Sequence, residues 1–286
     1  MTLYEEVRAA LRESEFRPRK RLGQNFLIHE RVIDAILALL DLDGTTQVVE
    51  IGPGLGFLTR RLLERAVKVW AVEVDAVLVE RLRRSDFAVN PNFHLIYGDI
   101  LEVPLPQILP KAKLQLVGNL PYSISTPVLF RILECYKLFS KMVLMVQKEV
   151  ADRIAGKPGT KEYGTLSVWC QIHGQITDKL GVSPEAFFPR PKVHSTVLKI
   201  KLFPEPLVAA DEIPILRGLI RAAFGQRRKT LGNALRTWLQ NDRGEIENFL
   251  CSQNVDPQRR GETLSVEEFI KLARAARLRF APAADN

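Results

Sequence analysis

Short apolar runs alternate with helix-periodic stretches through the first half of the chain. Gln47-Val48-Val49-Glu50-Ile51-Gly52, residues 67–75, His94-Leu95-Ile96-Tyr97-Gly98-Asp99, Leu114-Gln115-Leu116-Val117 and residues 142–147 are short and nearly continuous in apolar character, as buried strands are. Residues 57–65, 76–84 and 126–136 carry apolar positions at helical spacing between them. Strand–helix alternation of this kind predicts a mostly parallel sheet with helices on both faces. Ahead of it, Leu3, Val7 and Leu11 predict an amphipathic leader helix over residues 1–16. A second helix should bury Val32, Ile33, Ile36, Leu37 and Leu40 and stop at Asp41-Leu42-Asp43-Gly44. After the alternation, residues 149–175 read as helical, interrupted by Gly156-Lys157-Pro158-Gly159. A strand over 176–182 and the alternating residues 195–202 should close the sheet as an antiparallel edge pair.

Phe203-Pro204-Glu205-Pro206 breaks the chain. Beyond it only helical patterns follow, over 213–224, 230–239, 246–251 and 266–276, and Ser265 with Glu268 forms a capping-box pair for the last. The expected division is therefore an N-terminal helix and basic arm (1–21), a sheet domain (22–203) and a small all-helical domain (204–286). Lys plus Arg number 41 against 33 Asp plus Glu, and the net charge of +8 suits a polyanionic partner such as nucleic acid. Candidate phosphate contacts are Arg19, Lys20 and Arg21 in the arm, Arg190 and Lys192 beside the aromatic pair Phe187-Phe188, and Arg227, Arg228 and Lys229 between two helical patterns. Each also fits a merely solvated charge. Cys135, Cys170 and Cys251 lack a C-x-x-C pattern and read as free thiols of a reducing compartment. The four histidines lack metal-ligand spacing, so no metal is expected. No apolar run suits a secretion signal or a bilayer span, and a cytoplasmic protein is expected.

In parallel sheets, ligands bind outside the carboxyl ends of the strands. That rule places Gly52-Pro53-Gly54-Leu55-Gly56, Glu73, Asp99 and Asn119 on one rim. The glycines admit a ligand close to the backbone, and Glu73 could accept from two ribose hydroxyls; NAD, FAD or S-adenosylmethionine would fit. The spacing is not G-x-G-x-x-G and no G-K-[ST] occurs, which disfavours a nucleotide phosphate. Asp99 could accept from an adenine amino group or simply cap a helix from Leu101. In Gly118-Asn119-Leu120-Pro121-Tyr122, Pro121 forces a turn. The turn leaves the Asn119 oxygen and the Leu120 carbonyl as acceptors beside the flat face of Tyr122, a set suited to a planar heterocycle bearing an exocyclic amine.

Gly23-Gln24-Asn25-Phe26-Leu27, Glu50-Ile51-Gly52-Pro53-Gly54-Leu55-Gly56, Gly118-Asn119-Leu120-Pro121-Tyr122 and Ala186-Phe187-Phe188-Pro189-Arg190-Pro191-Lys192-Val193 occur in this order. Together they resemble the ribosomal RNA adenine dimethyltransferase family, most closely its bacterial small-subunit branch. The resemblance implies a Rossmann-like α/β methyltransferase sheet, mostly parallel with an antiparallel edge. It implies S-adenosylmethionine held by Asn25, Leu27, Gly52, Gly54, Glu73, Asp99 and Asn119. It implies dimethylation at N6 of two adjacent adenosines near the 3′ end of 16S rRNA in the small ribosomal subunit. Asn119, Leu120, Pro121 and Tyr122 would form the catalytic turn, with Phe187 stacking on the second face of the base and Phe188 as the alternative. Two rivals remain: a resistance-type enzyme acting on large-subunit rRNA, and an RNA-binding assembly factor without turnover. Ile28-His29 stands where the family more usually has an acidic residue, and the leader is long. A monomer is expected.

Overall fold

The computed structural model describes residues 3–13, 23–66, 68–226 and 228–280. In chain order the elements are α1 (Leu3–Glu13), β1 (Phe26–Leu27), α2 (Glu30–Leu40), β2 (Gln47–Ile51), α3 (Phe57–Leu63), β3 (Lys68–Glu73), α4 (Ala76–Arg83), β4 (Phe93–Tyr97), α5 (Leu105–Ile108), β5 (Leu114–Asn119), α6 (Ser125–Glu134) and β6 (Phe139–Gln147). They continue with α7 (Lys148–Ile154), α8 (Thr165–His173), β7 (Gly174–Val182), β8 (Phe187–Phe188), β9 (Ser195–Leu202), α9 (Ile213–Gly225), α10 (Leu231–Leu239), α11 (Arg243–Ser252) and α12 (Val266–Phe280).

A seven-stranded sheet runs in the order β4-β3-β2-β5-β6-β9-β7. Strands β2 to β6 are parallel, and β9 reverses against β6 with Met145 opposite Val197. The chain builds outward from β2 through β3 to β4, then crosses back to lay β5 on the other side of β2. The strand order therefore switches between β2 and β5, where a crevice opens at the carboxyl ends. Strands β2 and β5 are buried nearly throughout, as their unbroken apolar runs require of strands covered on both faces. Ile33, Ile36, Leu37 and Leu40 of α2 pack into this core, while Val32 is only half-buried. The expected antiparallel closure is present, although β7 rather than β9 is outermost.

A second, two-stranded sheet pairs β1 with β8, Phe26 opposite Phe188 and Leu27 opposite Phe187. The Ile28 amide extends it by donating to the Ala186 carbonyl at 2.8 Å. Two-residue strands carry no periodicity, and this pairing is absent from the sequence reading. It fastens residues 26–28 to the aromatic-proline loop.

The chain divides into two compact units, Met1–Ala151 with Gln175–Pro204, and Asp152–Gly174 with Glu205–Asn286. The break at 203–204 is thus one of three crossings, and residues 152–174 join the helical tail rather than the sheet. The reason lies in α8: Leu166, Ser167, Val168, Trp169, Cys170, Ile172 and His173 are all buried, so the helix is covered on most of its surface and needs helices around it. It packs against α9 and α12. Tyr163 stands edge-on to Phe224 at 5.7 Å and Phe224 stacks on Phe269 at 5.6 Å in the core of this unit. The capping box at α12 is formed: the Ser265 amide donates to Glu268 at 2.8 Å, and the Glu268 amide donates to Ser265 Oγ at 3.2 Å.

Candidate functional site

Four strand ends of the sheet unit converge on a cavity of about 250 Å³. The β2–α3 turn supplies its floor. Gly52 and Gly54 both have positive φ (66° and 59°), and a Cβ at Gly54 would stand 3.2 Å from the Phe26 ring, so a larger residue would be strained and crowded there. Glu73, at the end of β3, holds this turn from the side. Its Oε2 accepts from the Gly54 amide at 3.2 Å, and Oε1 accepts from the Val74 and Asp75 amides at 3.0 Å each. Burial raises the Glu73 pKa against these three donors. Asp75 caps α4 through the Val77 amide at 3.0 Å and receives the Gln24 amide group at 2.9 Å, which draws the 23–27 segment across the cavity.

Asn119 closes the opposite side. Its Nδ2 donates to the Asn25 carbonyl at 2.9 Å. With the amide nitrogen committed, the orientation of the group is set and Oδ1 is left as the acceptor. The Leu120 amide donates to Met145 at 3.0 Å and its side chain is buried, so the turn is anchored to β6. No described residue donates to the Leu120 carbonyl. The Tyr122 hydroxyl shares a 2.7 Å hydrogen bond with Ser195 Oγ, and burial raises its pKa. Asp99 lines the cavity, and its Oδ1 accepts from the Leu101 amide at 2.9 Å; that bond closes a turn and not the expected helix from Leu101, since α5 starts at Leu105 with Pro104 as its cap.

Asn25, Leu27, Gly52, Gly54, Glu73, Asp99, Asn119, Leu120, Pro121 and Tyr122 therefore meet around one space. Phe187 does not, and this corrects its expected stacking role. Its ring is 2% exposed and packed with Leu27, Ile33 and Ile36, because pairing with Leu27 turns it into the core. Phe188 keeps exposed ring surface and stands edge-on to Tyr4 at 6.0 Å. Arg190 is exposed and pairs with Glu185, and Lys192 is exposed; neither lines the cavity. Arg228 and Lys229 are exposed between α9 and α10 of the helical unit. Arg19, Lys20, Arg21 and Arg227 lie outside the described residues.

The sequence reading missed Glu50. It is 2% exposed, lines the cavity, and accepts from Thr59 Oγ1 at 2.6 Å through Oε2. Burial pushes its pKa up to about 7, with the nearby Glu73 adding to the rise. A carboxylate between Val49 and Ile51 in an otherwise apolar strand was the available signal. With Glu50 included, the cavity is lined by three carboxyl groups, Glu50, Glu73 and Asp99, and by no Lys, Arg or His among the described residues. A basic protein thus carries an acidic ligand cavity. Among the described residues no cluster of His, Cys, Asp and Glu could hold a metal ion, and no helix is long and apolar enough to cross a membrane.

Comparison with known proteins assigns this arrangement. A profile of the family described as ribosomal RNA adenine dimethylase matches residues 15–276. The chain belongs to that family. It is 44% identical over 269 residues to ribosomal RNA small subunit methyltransferase A of Geobacter metallireducens, covering 93% of this chain and 98% of that one. It is 46% identical over 250 residues to the protein of the same name from Desulfitobacterium hafniense, covering 87% and 89%. Among solved structures, a dimethyladenosine transferase from Plasmodium falciparum is similar with a TM-score of 0.72, 25% identity and coverage of 86% and 95%. The 23S rRNA methyltransferase ErmE is similar with a TM-score of 0.66, 25% identity and coverage of 88% and 99%.

Proposed function

We propose that this protein transfers methyl groups from S-adenosylmethionine to N6 of two adjacent adenosines near the 3′ end of 16S rRNA, giving N6,N6-dimethyladenosine in the small ribosomal subunit. The observation that carries the reading is the Asn119 amide, pinned through its nitrogen and offering its oxygen into an acidic cavity. The cavity fits the cofactor on its own chemistry. Three carboxyl groups without a lining cation suit a ligand of net positive charge and repel the phosphates of NAD or FAD. When bound, S-adenosylmethionine supplies an activated methyl on a sulfonium. Glu73 would accept from the ribose hydroxyls and Asp99 from the adenine amino group. Gly52 and Gly54 give close backbone approach, and Asn25 and Leu27 cover the ligand from the fastened segment.

The acceptor amine is a poor nucleophile because its lone pair is delocalised into the purine. Asn119 Oδ1 and the Leu120 carbonyl accept its two N–H bonds, which favours a pyramidal nitrogen and stabilises the positive charge developing there. Pro121 holds the turn in which these acceptors converge. Tyr122 stacks on one face of an extruded base, a contact worth about 1–3 kcal/mol, and its tether to Ser195 sets the ring. Phe188, the alternative for the other face, keeps part of its surface exposed but lies outside the residues that line the cavity, so stacking there would require its ring to move.

Ribosomal RNA contact is assigned to Arg190, Lys192, Arg227, Arg228 and Lys229, with Arg19, Lys20 and Arg21 in the arm. Support for the helical unit comes from charge segregation: no Asp or Glu occurs between residues 213 and 240. Arg221, Arg228, Lys229 and Arg236 are exposed there and make no ion pair with a described carboxylate. The relatives named for the small subunit, at 42–46% identity, favour that substrate over the 23S rRNA for which ErmE is named. The deciding experiment supplies tritiated cofactor with isolated small subunits and, separately, with 23S rRNA. Label in dimethyladenosine of the 16S 3′ region is expected. Label only in 23S rRNA would overturn the substrate, and cofactor retention without label in either would favour an assembly factor.

A further inference from the structure

Glu50 is the carboxyl group of the cavity whose burial is least compensated by its neighbours. Glu73 receives three backbone N–H bonds and Asp99 is half-exposed, whereas Glu50 is almost wholly buried and receives one neutral hydroxyl, from Thr59. Among the described residues no cation reaches it. From α3, Arg60 pairs with Asp86 and Glu6, and Arg61 with Asp34, all on the exposed side. From β3 the facing charged group is Glu73, which repels it. From β5 the neighbours in register are Val117 and, beside it, Gly118, which do not titrate. The charged groups of α2, Glu30, Arg31 and Asp34, are exposed. The strand does not need a carboxylate, since Val48, Val49 and Ile51 already fill it. A buried carboxyl of this kind is unfavourable when ionised unless a positive group arrives beside it.

We infer that Glu50 is a positioning residue that makes the cavity prefer the cationic sulfonium cofactor to its zwitterionic thioether product of zero net charge, by giving up a proton when the cofactor binds and regaining one when the methyl has left. The inference rests on the cofactor reading above. S-adenosylmethionine carries sulfonium and ammonium charges against one carboxylate, a net single positive charge; the demethylated product has lost the sulfonium charge. In the ligand-free protein Glu50 holds its proton up to neutral pH. Entry of the cation favours its ionised form, and the proton passes to solvent. Transfer moves a methyl cation from sulfur to the adenine nitrogen, which releases its own proton to solvent. Glu50, now facing a ligand that has lost its net positive charge, takes a proton back, and the product is held less tightly than the cofactor.

The test is titration calorimetry of the full chain with S-adenosylmethionine and with S-adenosylhomocysteine from about pH 5.5 to about pH 7.5, in two buffers of different ionisation enthalpy. One ionising group predicts that the ratio of the two affinities falls by up to about tenfold per pH unit below neutrality, with one proton released on cofactor binding and none on product binding. In Glu50→Gln the ratio should be small and flat with pH. Thr59→Val, which removes the hydroxyl donor to the carboxylate, should move the midpoint of the profile to higher pH; it serves if Glu50→Gln does not fold. A flat ratio in the wild type, an unchanged slope in Glu50→Gln, or an unmoved midpoint in Thr59→Val overturns the inference. Absence of cofactor binding at every pH would instead overturn the cofactor reading itself.

Discussion

The sheet unit and the helical unit treat charge in opposite ways. In the helical unit, arginines of the α11–α12 region sit beside acids: Arg243 with Glu247, Arg259 with Glu268, Arg274 with Glu212 and Arg277 with Asp211. Such surface pairs are each worth about 0–1 kcal/mol, and they neutralise the region without creating a site. In the cavity of the sheet unit, acids stand without cations, at a cost to the empty protein. The α9–α10 segment inverts this again, with exposed cations and no acids. Charge left uncompensated by the fold marks where a ligand of opposite sign would bind; under the proposed function that is a cationic cofactor in one unit and phosphates on the other.

The largest effect expected is at the acceptor turn. Asn119→Ala should lower methyl transfer by about 10²–10³-fold, the loss typical of one acceptor or donor aimed at developing charge, while calorimetry still detects cofactor binding. Asn119→Asp sharpens the point. It keeps acceptor oxygens but cannot donate to the Asn25 carbonyl, so it should also be severely impaired if the 2.9 Å bond sets the orientation. Wild-type rates in either variant would remove Asn119 from the chemistry.

Next comes the cost of the unpaired acid. Burial pushes the Glu50 pKa up to about 7 from the ordinary carboxylate range near 4.5, so the native state holds a proton that the unfolded chain has lost across that window. Stability of the ligand-free protein should therefore fall as pH rises from about 4.5 to about 7, by an amount on the order of 3 kcal/mol from this group. Glu50→Gln should remove that slope and melt higher than wild type above neutral pH. A lower melting temperature at pH 8 would mean that the carboxylate is already compensated, and the contrast between the two units would fail at its sharpest point.

These contrasts were unequally visible in the sequence. The parallel strands were legible because both-face burial writes itself as unbroken apolar runs, and the rim followed from the rule on carboxyl ends; Glu73, Asp99 and Asn119 do share one cavity. The β1–β8 pairing was invisible because two residues have no period, and with it went the orientation of Phe187, whose ring turns inward once Leu27 is its partner. Glu50 was passed over because a lone acid in a strand was read as part of a motif, not as a buried charge. Residues 152–174 were placed with the sheet because sequence adjacency does not reveal which helices surround a largely buried helix.

The smallest effects separate paired from unpaired cations within the helical unit. Arg228→Glu with Lys229→Glu should leave the melting temperature nearly unchanged, since neither residue has a described carboxylate partner, yet should flatten the salt dependence of small-subunit binding. Each lost phosphate contact lowers the log–log slope by about 0.7–0.9. Arg259→Ala should do the reverse. It breaks a two-pronged contact with Glu268, the same carboxylate that receives the Ser265 amide at the start of α12, and a bond from Nη2 to the Thr263 carbonyl at 2.7 Å. The loss should be about 1 kcal/mol of stability, with the salt slope untouched. The Arg259 guanidinium holds the Glu268 pKa below its ordinary value, so the pair's contribution is present above the ordinary carboxylate range and is lost as pH falls through it. Denaturant melts at pH 7 and in acid would show the variant and wild type converging. If Arg259→Ala altered RNA binding while Arg228→Glu with Lys229→Glu did not, the pairing of charges in this unit would carry no information about where RNA sits.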